Sequence, residues 1–275
     1  MPPDRVLAEM REVGLDATEL GPPGYLPDAA EARRRLLDRY GMQLVAGFLA
    51  TVLHDPRRSA VREIEMQAHA LEDSGAEVLV LAAALPGESY DRDERLTKPQ
   101  WTTLAKSLAS ADKIASAHGL RLSFHPHAGT AVARKEDFNT MLEMTSVGIC
   151  IDTGHLFLGG ADPAEVARDA AGRVNHVHLK DVDTNLARRI RSGDMTYGEG
   201  VAAGLYRPLG QGDLDIEAVV DRLQGAGYRG WYVLEQDMAL TAEHARGPLK
   251  AAALSLEYFR RIAGADQHVT VSKED

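Results

Sequence analysis

The chain has 275 residues, of which 44% are hydrophobic and 26% charged, an ordinary globular composition in the size range that an α/β barrel occupies as one unit. A formal net charge of −10 and a pI near 5.5 repel a polyanion and exclude nucleic-acid binding by phosphate neutralisation, and a single cysteine, Cys150, excludes an internal disulfide framework. The start, MPPDRVLAEM, has no apolar stretch of the kind that directs secretion, and no apolar run approaches the roughly 20 residues of a membrane span, so a soluble cytoplasmic protein with no membrane partner is expected.

In chain order, Pro3 to Val13 has the pattern of an amphipathic helix, followed by a β-rich run from Ala17 to Leu20. Arg33, Arg34 and Arg35 lie between Glu31 and Asp38 in a second helical pattern, where a solvated face is the expectation. Further β-rich runs cover Leu44 to Thr51, Glu77 to Ala83, Leu120 to His125, Val147 to Asp152, Val174 to Leu179 and Trp231 to Glu235. Helical patterns separate them: Pro99 opens one that runs to Ala117, with Gly119 just past its end, and Asp162-Pro163 opens another. Strands alternating with helices in this way predict a parallel sheet. The least regular stretch is Lys180 to Gln211, longer than most connections and expected to be a lid at the strand ends.

These elements predict a parallel (β/α)8 barrel formed by one domain over residues 1–265, with a polar tail at 266–275. Only seven strands are legible, because the chain opens on a helix that should follow a strand. Either the start is placed too late, or the gap is filled by a neighbouring chain or by the C-terminal segment.

Five of the ten histidines stand at or just after strand ends: His125 and His127 in SFHPH, His155 in DTGH, and His176 and His178 in NHVHLKD. Asp152 and Glu235 end strands as well. In a parallel barrel all strand C-termini open on one face, so these residues are gathered despite their separation in sequence. The two-residue period of a strand gives His125 and His127 one parity, and His176, His178 and Lys180 another shared one. One histidine at a strand end is ordinarily a hydrogen-bonded structural residue. Four strand ends carrying His125, Asp152, His178 and Glu235 instead suit a divalent ion such as Mn2+, Co2+ or Zn2+ in a site without thiolates.

Through ICIDTGH, NHVHLKD and WYVLEQD, in that order, the chain resembles the xylose-isomerase-like barrel superfamily of sugar isomerases, epimerases and inosose dehydratases. MREVGLDATELGPPGYLP, HPHAGT and RPLGQGDLD are most similar to the inosose dehydratases and related keto-sugar enzymes. The resemblance implies a metal held by His125, Asp152, His178 and Glu235, with His127 as the alternative to His125. It departs from the family at the first of these, where sugar epimerases carry a Glu that also works as acid or base. It further implies Glu235 as base, His155 or His127 as acid, and Glu19, Lys180 and Arg207 as substrate contacts, with a loop salt bridge as the competing role for Arg207.

The implied activity is a metal-dependent lyase that dehydrates an inosose or related keto-sugar through an enediolate. The alternatives are an isomerase or epimerase of the same superfamily and a non-catalytic sugar-binding barrel. A DNA-repair endonuclease on this barrel is disfavoured by the acidic charge. The expected partner is a small polyol or keto-sugar, and a homo-oligomer is left open.

Overall fold

The computed structural model describes residues 1–87, 91–92, 94–235, 237–239 and 247–264, and the backbone of 269–272. Its helices and strands alternate as α1 (Pro3–Val13), β1 (Ala17–Glu19), α2 (Ala30–Tyr40), β2 (Gln43–Thr51), α3 (Val61–Glu72), β3 (Val78–Ala83), α4 (Lys98–Ala117), β4 (Arg121–Phe124), α5 (Lys135–Met144) and β5 (Ile149–Asp152). They continue as α6 (Thr153–Leu158), α7 (Pro163–Asp169), β6 (Val174–Leu179), β7 (Asp181–Val182), α8 (Thr184–Ser192), α9 (Tyr197–Ala202), β8 (Tyr206–Arg207), α10 (Ile216–Gly225), β9 (Tyr232–Glu235), α11 (Gly247–Ala263) and β10 (Val269–Ser272). Eight of the strands close into a barrel in the order β1-β10-β9-β6-β5-β4-β3-β2, all paired in parallel.

Closure answers the question of the eighth strand. The gap is filled by the C-terminal segment: β10 lies between β9 and β1, with Val269 to Ser272 opposite Tyr232 to Glu235 and Val271 opposite Thr18. The expected polar tail at 266–275 is therefore corrected over 269–272, where the sequence VTVS is rich in the β-branched residues that suit a pleated ladder. A sheet edge leaves a row of backbone donors and acceptors unpaired, and this segment pairs both edges of an otherwise open sheet.

Side chains alternate across each strand. Leu79, Leu81, Leu122, Phe124, Ile149, Ile151, Val177, Leu179 and Leu234 face outward into a core shared with Leu71, Leu104, Leu108, Phe138, Met141 and Phe259 from the helices. Each fully buried Leu or Phe contributes about 1.5–3 kcal/mol. The opposite parity faces the barrel axis, where Ala17, Val45, Val78, Val80, Cys150 and Trp231 form a separate apolar plug. Along those inward rows the residues turn polar toward the strand C-termini: Cys150 is followed by Asp152, Val233 by Glu235, Ser123 by His125, and His176 by His178 and Lys180, each of these polar groups buried.

Two expectations about loops and helices are corrected. Arg33 is buried on α2, at 2% exposure, and donates to Ser74 Oγ at 2.7 Å and to the carbonyls of Ala70, Pro27 and Asp28 at 2.8, 2.9 and 3.1 Å. Its neighbours Arg34 and Arg35 are exposed as expected, because the 100° step of a helix turns only one of three consecutive residues inward. Between Lys180 and Gln211 the chain is not irregular. It forms the β7–β8 antiparallel ribbon and the helices α8 and α9 between its strands, short elements whose polar sequence hides their periodicity.

Among the described residues, no helix is long and apolar enough to cross a membrane. Val271→Pro removes one backbone donor from the strand that closes the barrel. It is expected to lower the free energy of unfolding by about 2 kcal/mol or more, read as a shift of the urea midpoint. An unchanged midpoint would show that β10 does not close the sheet in solution.

Candidate metal centre

The ends of β4, β5, β6 and β9 bring His125, Asp152, His178 and Glu235 together, with one donor atom from each lying within 4.8 Å of the others. Parallel register does this directly: Asp152 stands opposite His178 on β5 and β6, and His178 stands opposite Val233, two residues before Glu235, on β9. His178 Nδ1 is 3.1 Å from Glu235 Oε1 and 3.9 Å from Asp152 Oδ2, and His125 Nε2 is 3.7 Å from the same oxygen. Of the two histidines in HPHAGT, His125 enters this group. His127 lies instead against His155, with ring centroids 3.7 Å apart and the planes tilted by 37°.

The outer nitrogens set the direction of each imidazole. His125 Nδ1 donates to the carbonyl of Pro126 at 2.8 Å, which leaves Nε2 as the acceptor facing Asp152. His178 Nε2 lies 3.2 Å from Glu19 Oε1, which turns Nδ1 toward Glu235 and Asp152. Glu19, expected to contact substrate, is thus placed behind His178, and it also holds His176 Nε2 at 2.6 Å. Its position at the end of the short strand β1, only 4% exposed, explains the difference: the side chain is inside the barrel below the mouth. A carboxylate behind a histidine in this manner is the usual support for a metal ligand.

Charge in this volume is tightly balanced. Burial alone would lower the pKa of His178, but the carboxylates of Glu235, Glu19 and Asp152 outweigh it and push the imidazole up to about 10. Burial would raise Asp152, yet Lys180, His155, His125 and His178 hold it below the usual carboxylate range. Glu19 is likewise held down against its burial by His178 and His176, while burial lowers His176 itself despite Glu19. Lys180 is fully buried, and its Nζ lies 2.6 Å from Glu235 Oε2, 3.0 Å from Asp237 Oδ2, 3.4 Å from Asp152 Oδ2 and 3.0 Å from His155 Nε2.

The donor set fits a divalent ion. Asp152 Oδ2 and His178 Nδ1 are buried polar atoms that make no hydrogen bond, an arrangement that a native interior rarely tolerates without a further partner. Two imidazoles and two carboxylates without cysteine match the donors preferred by Zn2+, Mn2+ or Co2+.

Above the cluster, the segment after β6 forms a roof. Tyr206 lies beside Lys180, with Nζ 5.3 Å from its ring centroid, and its hydroxyl is 3.1 Å from that of Tyr197. The Tyr197 ring is 6.1 Å from that of His155 and 6.5 Å from that of His127, and its backbone N–H donates to Asp91 Oδ1 across the mouth at 2.7 Å. Asp181 anchors the roof by accepting the N–H groups of Val182, Gly210, Gly212 and Leu214 at 2.9–3.0 Å. A Cβ on Gly212 would sit 2.2 Å from Asp181 Oδ1, which accounts for the second glycine in GQGDLD. Arg207 is exposed and pairs with Asp183 at 3.1 Å, so the loop salt bridge describes it rather than a contact to the cluster.

Tyr197, Tyr206, Asp181 and Asp237 were not singled out in the sequence, although Asp181 and Asp237 close the NHVHLKD and WYVLEQD motifs. The model for the xylose isomerase-like TIM barrel matches residues 7–262. The chain belongs to that family. It is 30% identical to the rhizopine catabolism protein MocC of Rhizobium meliloti, over 96% of this chain and 82% of that protein. It is 29% identical to an inosose dehydratase of Geobacillus kaustophilus, over 94% and 87% respectively. In fold it is similar to a D-psicose 3-epimerase from Clostridium cellulolyticum, with a TM-score of 0.72 at 14% identity, covering 95% of this chain and 94% of that one.

Glu19→Gln keeps the size of the group behind His178 but removes its charge. The metal affinity of the purified protein is expected to fall by about 10- to 100-fold, measured by titration calorimetry with Mn2+ or Zn2+. Unchanged affinity would remove Glu19 from any supporting role.

Proposed function

We propose that the protein is a divalent-metal-dependent lyase that removes water from an inosose or a closely related cyclic keto-sugar. The observation that carries this reading is the convergence of His125, Asp152, His178 and Glu235 on one point. Its support for a dehydratase comes from the nearly full-length similarity to an inosose dehydratase. His125 at the position where sugar epimerases carry a Glu leaves one carboxylate, Glu235, for proton transfer, whereas epimerisation as sketched by the resemblance uses two.

In this reading His125, Asp152, His178 and Glu235 hold the metal, whose positive charge would favour an enediolate by lying where negative charge develops on the substrate oxygens. Mn2+, Co2+ and Zn2+ all suit the donors. Glu235 takes the proton from the carbon next to the ketone, and its second oxygen is held in place by Lys180 Nζ at 2.6 Å. His155 or His127 gives a proton to the β-hydroxyl as it leaves as water, since imidazole exchanges protons near neutral pH. The two ring centroids lie 3.7 Å apart with the planes tilted by 37°, and each is 5.5 Å from the His125 ring, so both imidazoles border the same part of the cluster. Lys180 contacts substrate hydroxyls from within the cluster, and Tyr197 and Tyr206 exclude bulk water from above.

The test is incubation of the metal-loaded protein with 2-keto-myo-inositol. Appearance of an absorbing unsaturated dione, abolished in Glu235→Gln with the fold intact, is the expected result. Solvent deuterium entering the substrate without loss of water would replace the lyase by an epimerase or isomerase. A purified protein that takes up no divalent ion would leave only a sugar-binding barrel.

A further inference from the structure

A second group of metal-competent side chains lies at the opposite end of the barrel. His69 and Glu72 stand in the last turn of α3, and His118 caps the C-terminus of α4. These helices pack side by side, and each leads into the start of its next strand, so their C-termini meet on the face away from the buried cluster. One donor atom from each of the three residues lies within 4.8 Å of the others. The Glu72 Oε2 atom is the common point, 2.7 Å from His118 Nδ1 and 3.9 Å from His69 Nδ1.

Three features point beyond a histidine–carboxylate hydrogen bond. A tetrahedral zinc centre with bonds of about 2.0–2.1 Å separates its ligand atoms by about 3.3 Å, and the two measured separations bracket that value. His69 Nε2 lies 3.4 Å from Asp73 Oδ2, so Asp73 holds the outer nitrogen and leaves Nδ1 toward Glu72, the same carboxylate support that Glu19 gives His178. Finally, two helix C-termini converge here, and each carries the partial negative charge that favours a cation.

We propose that His69, Glu72 and His118 form a Zn2+ site that clips α3 to α4, with water completing the coordination and Asp73 orienting His69. The side chains of His69, Glu72 and His118 are 67%, 49% and 25% exposed, so the ion enters from solvent without any opening of the fold. Its position at the N-terminal end of the strands, where barrels place stability rather than chemistry, makes it a structural clip. It stabilises the native state by binding that state alone.

Zinc titration of the chelator-stripped protein tests this. His69→Ala leaves the hydrogen bond between His118 and Glu72 in place, so the helix ends keep their packing while the site loses a ligand. The wild type is expected to take up one more equivalent of Zn2+ than His69→Ala or His118→Ala, and Zn2+ should raise its melting temperature further than theirs. Asp73→Asn should weaken this equivalent by about tenfold. Equal stoichiometry in wild type and both histidine variants overturns the site, and unchanged affinity in Asp73→Asn overturns the role given to Asp73. The comparison is a difference of one equivalent, so it reads the same whether or not the central cluster loads.

Discussion

The structure is governed by the cost of keeping carboxylates out of water at the mouth of the barrel. Glu19, Asp152 and Glu235 are at most 4% exposed and Asp237 is 9% exposed, and removing an ionised carboxylate from water costs several kcal/mol per ion even after relaxation. Such groups persist only where cations or protons answer them. Lys180 supplies one fixed positive charge, touching Asp152, Glu235 and Asp237 at once. The histidines supply the rest in a form that can be exchanged. His178, pushed up to about 10 by its surroundings, shows how strongly the site demands positive charge at the position where a metal ion would serve.

That demand explains features that otherwise look unrelated. Glycines stand where the polar network needs backbone or side chains close together. A Cβ on Gly154 would lie 2.8 Å from both Lys180 Cβ and Tyr206 Cε1, so this glycine lets the roof settle onto the lysine. Asp152 serves twice, since its Oδ1 caps α6 by accepting the N–H of His155 at 2.7 Å while Oδ2 faces the cluster. One residue therefore fixes the start of a helix, the place of His155 and a donor atom of the centre. Local helix capping and the geometry of the site are the same interaction.

Much of this was legible in the sequence, for a physical reason. The strand C-termini of a parallel barrel open on one face, so the strand ends carrying Asp152, His178, Glu235 and the HPH histidines could be gathered there before any coordinates; parity left His125 and His127 equivalent, and only the family resemblance favoured His125. Seven strands, the helix opened near Pro99 and the cap Asp162 were equally plain. What could not be read was anything dependent on packing between elements distant in sequence. Whether Arg33 or Arg34 points inward depends on where α3 ends, and Glu19 lies behind His178 only because β1 is short and reaches inside the mouth. The closing strand was hidden because VTVS is four residues long in a polar setting, and its partners, β1 and β9, are determined by barrel closure rather than by its own pattern. The roof was expected as a lid over Lys180 to Gln211, but its internal order was hidden because it comes from Asp181 and four backbone N–H groups, a pattern that no periodicity encodes.

The same topology separates chemistry from stability along the barrel axis. The inward rows of β5 and β9 pass from apolar to ionisable side chains, Cys150 to Asp152 and Val233 to Glu235, and the apolar plug of Val45, Val78, Val80, Cys150 and Trp231 forms the floor below the polar cluster. Water reaching the cluster from below would screen its charges and weaken both the ion pairs of Lys180 and the attraction for a cation. The plug prevents that, and the tyrosines of the roof do the same from above. Core packing and the polar cluster are thus not rival demands on this chain: the hydrophobic floor strengthens the electrostatics of the mouth, where residues that the sequence places more than a hundred positions apart form a cluster whose donors fit a divalent ion.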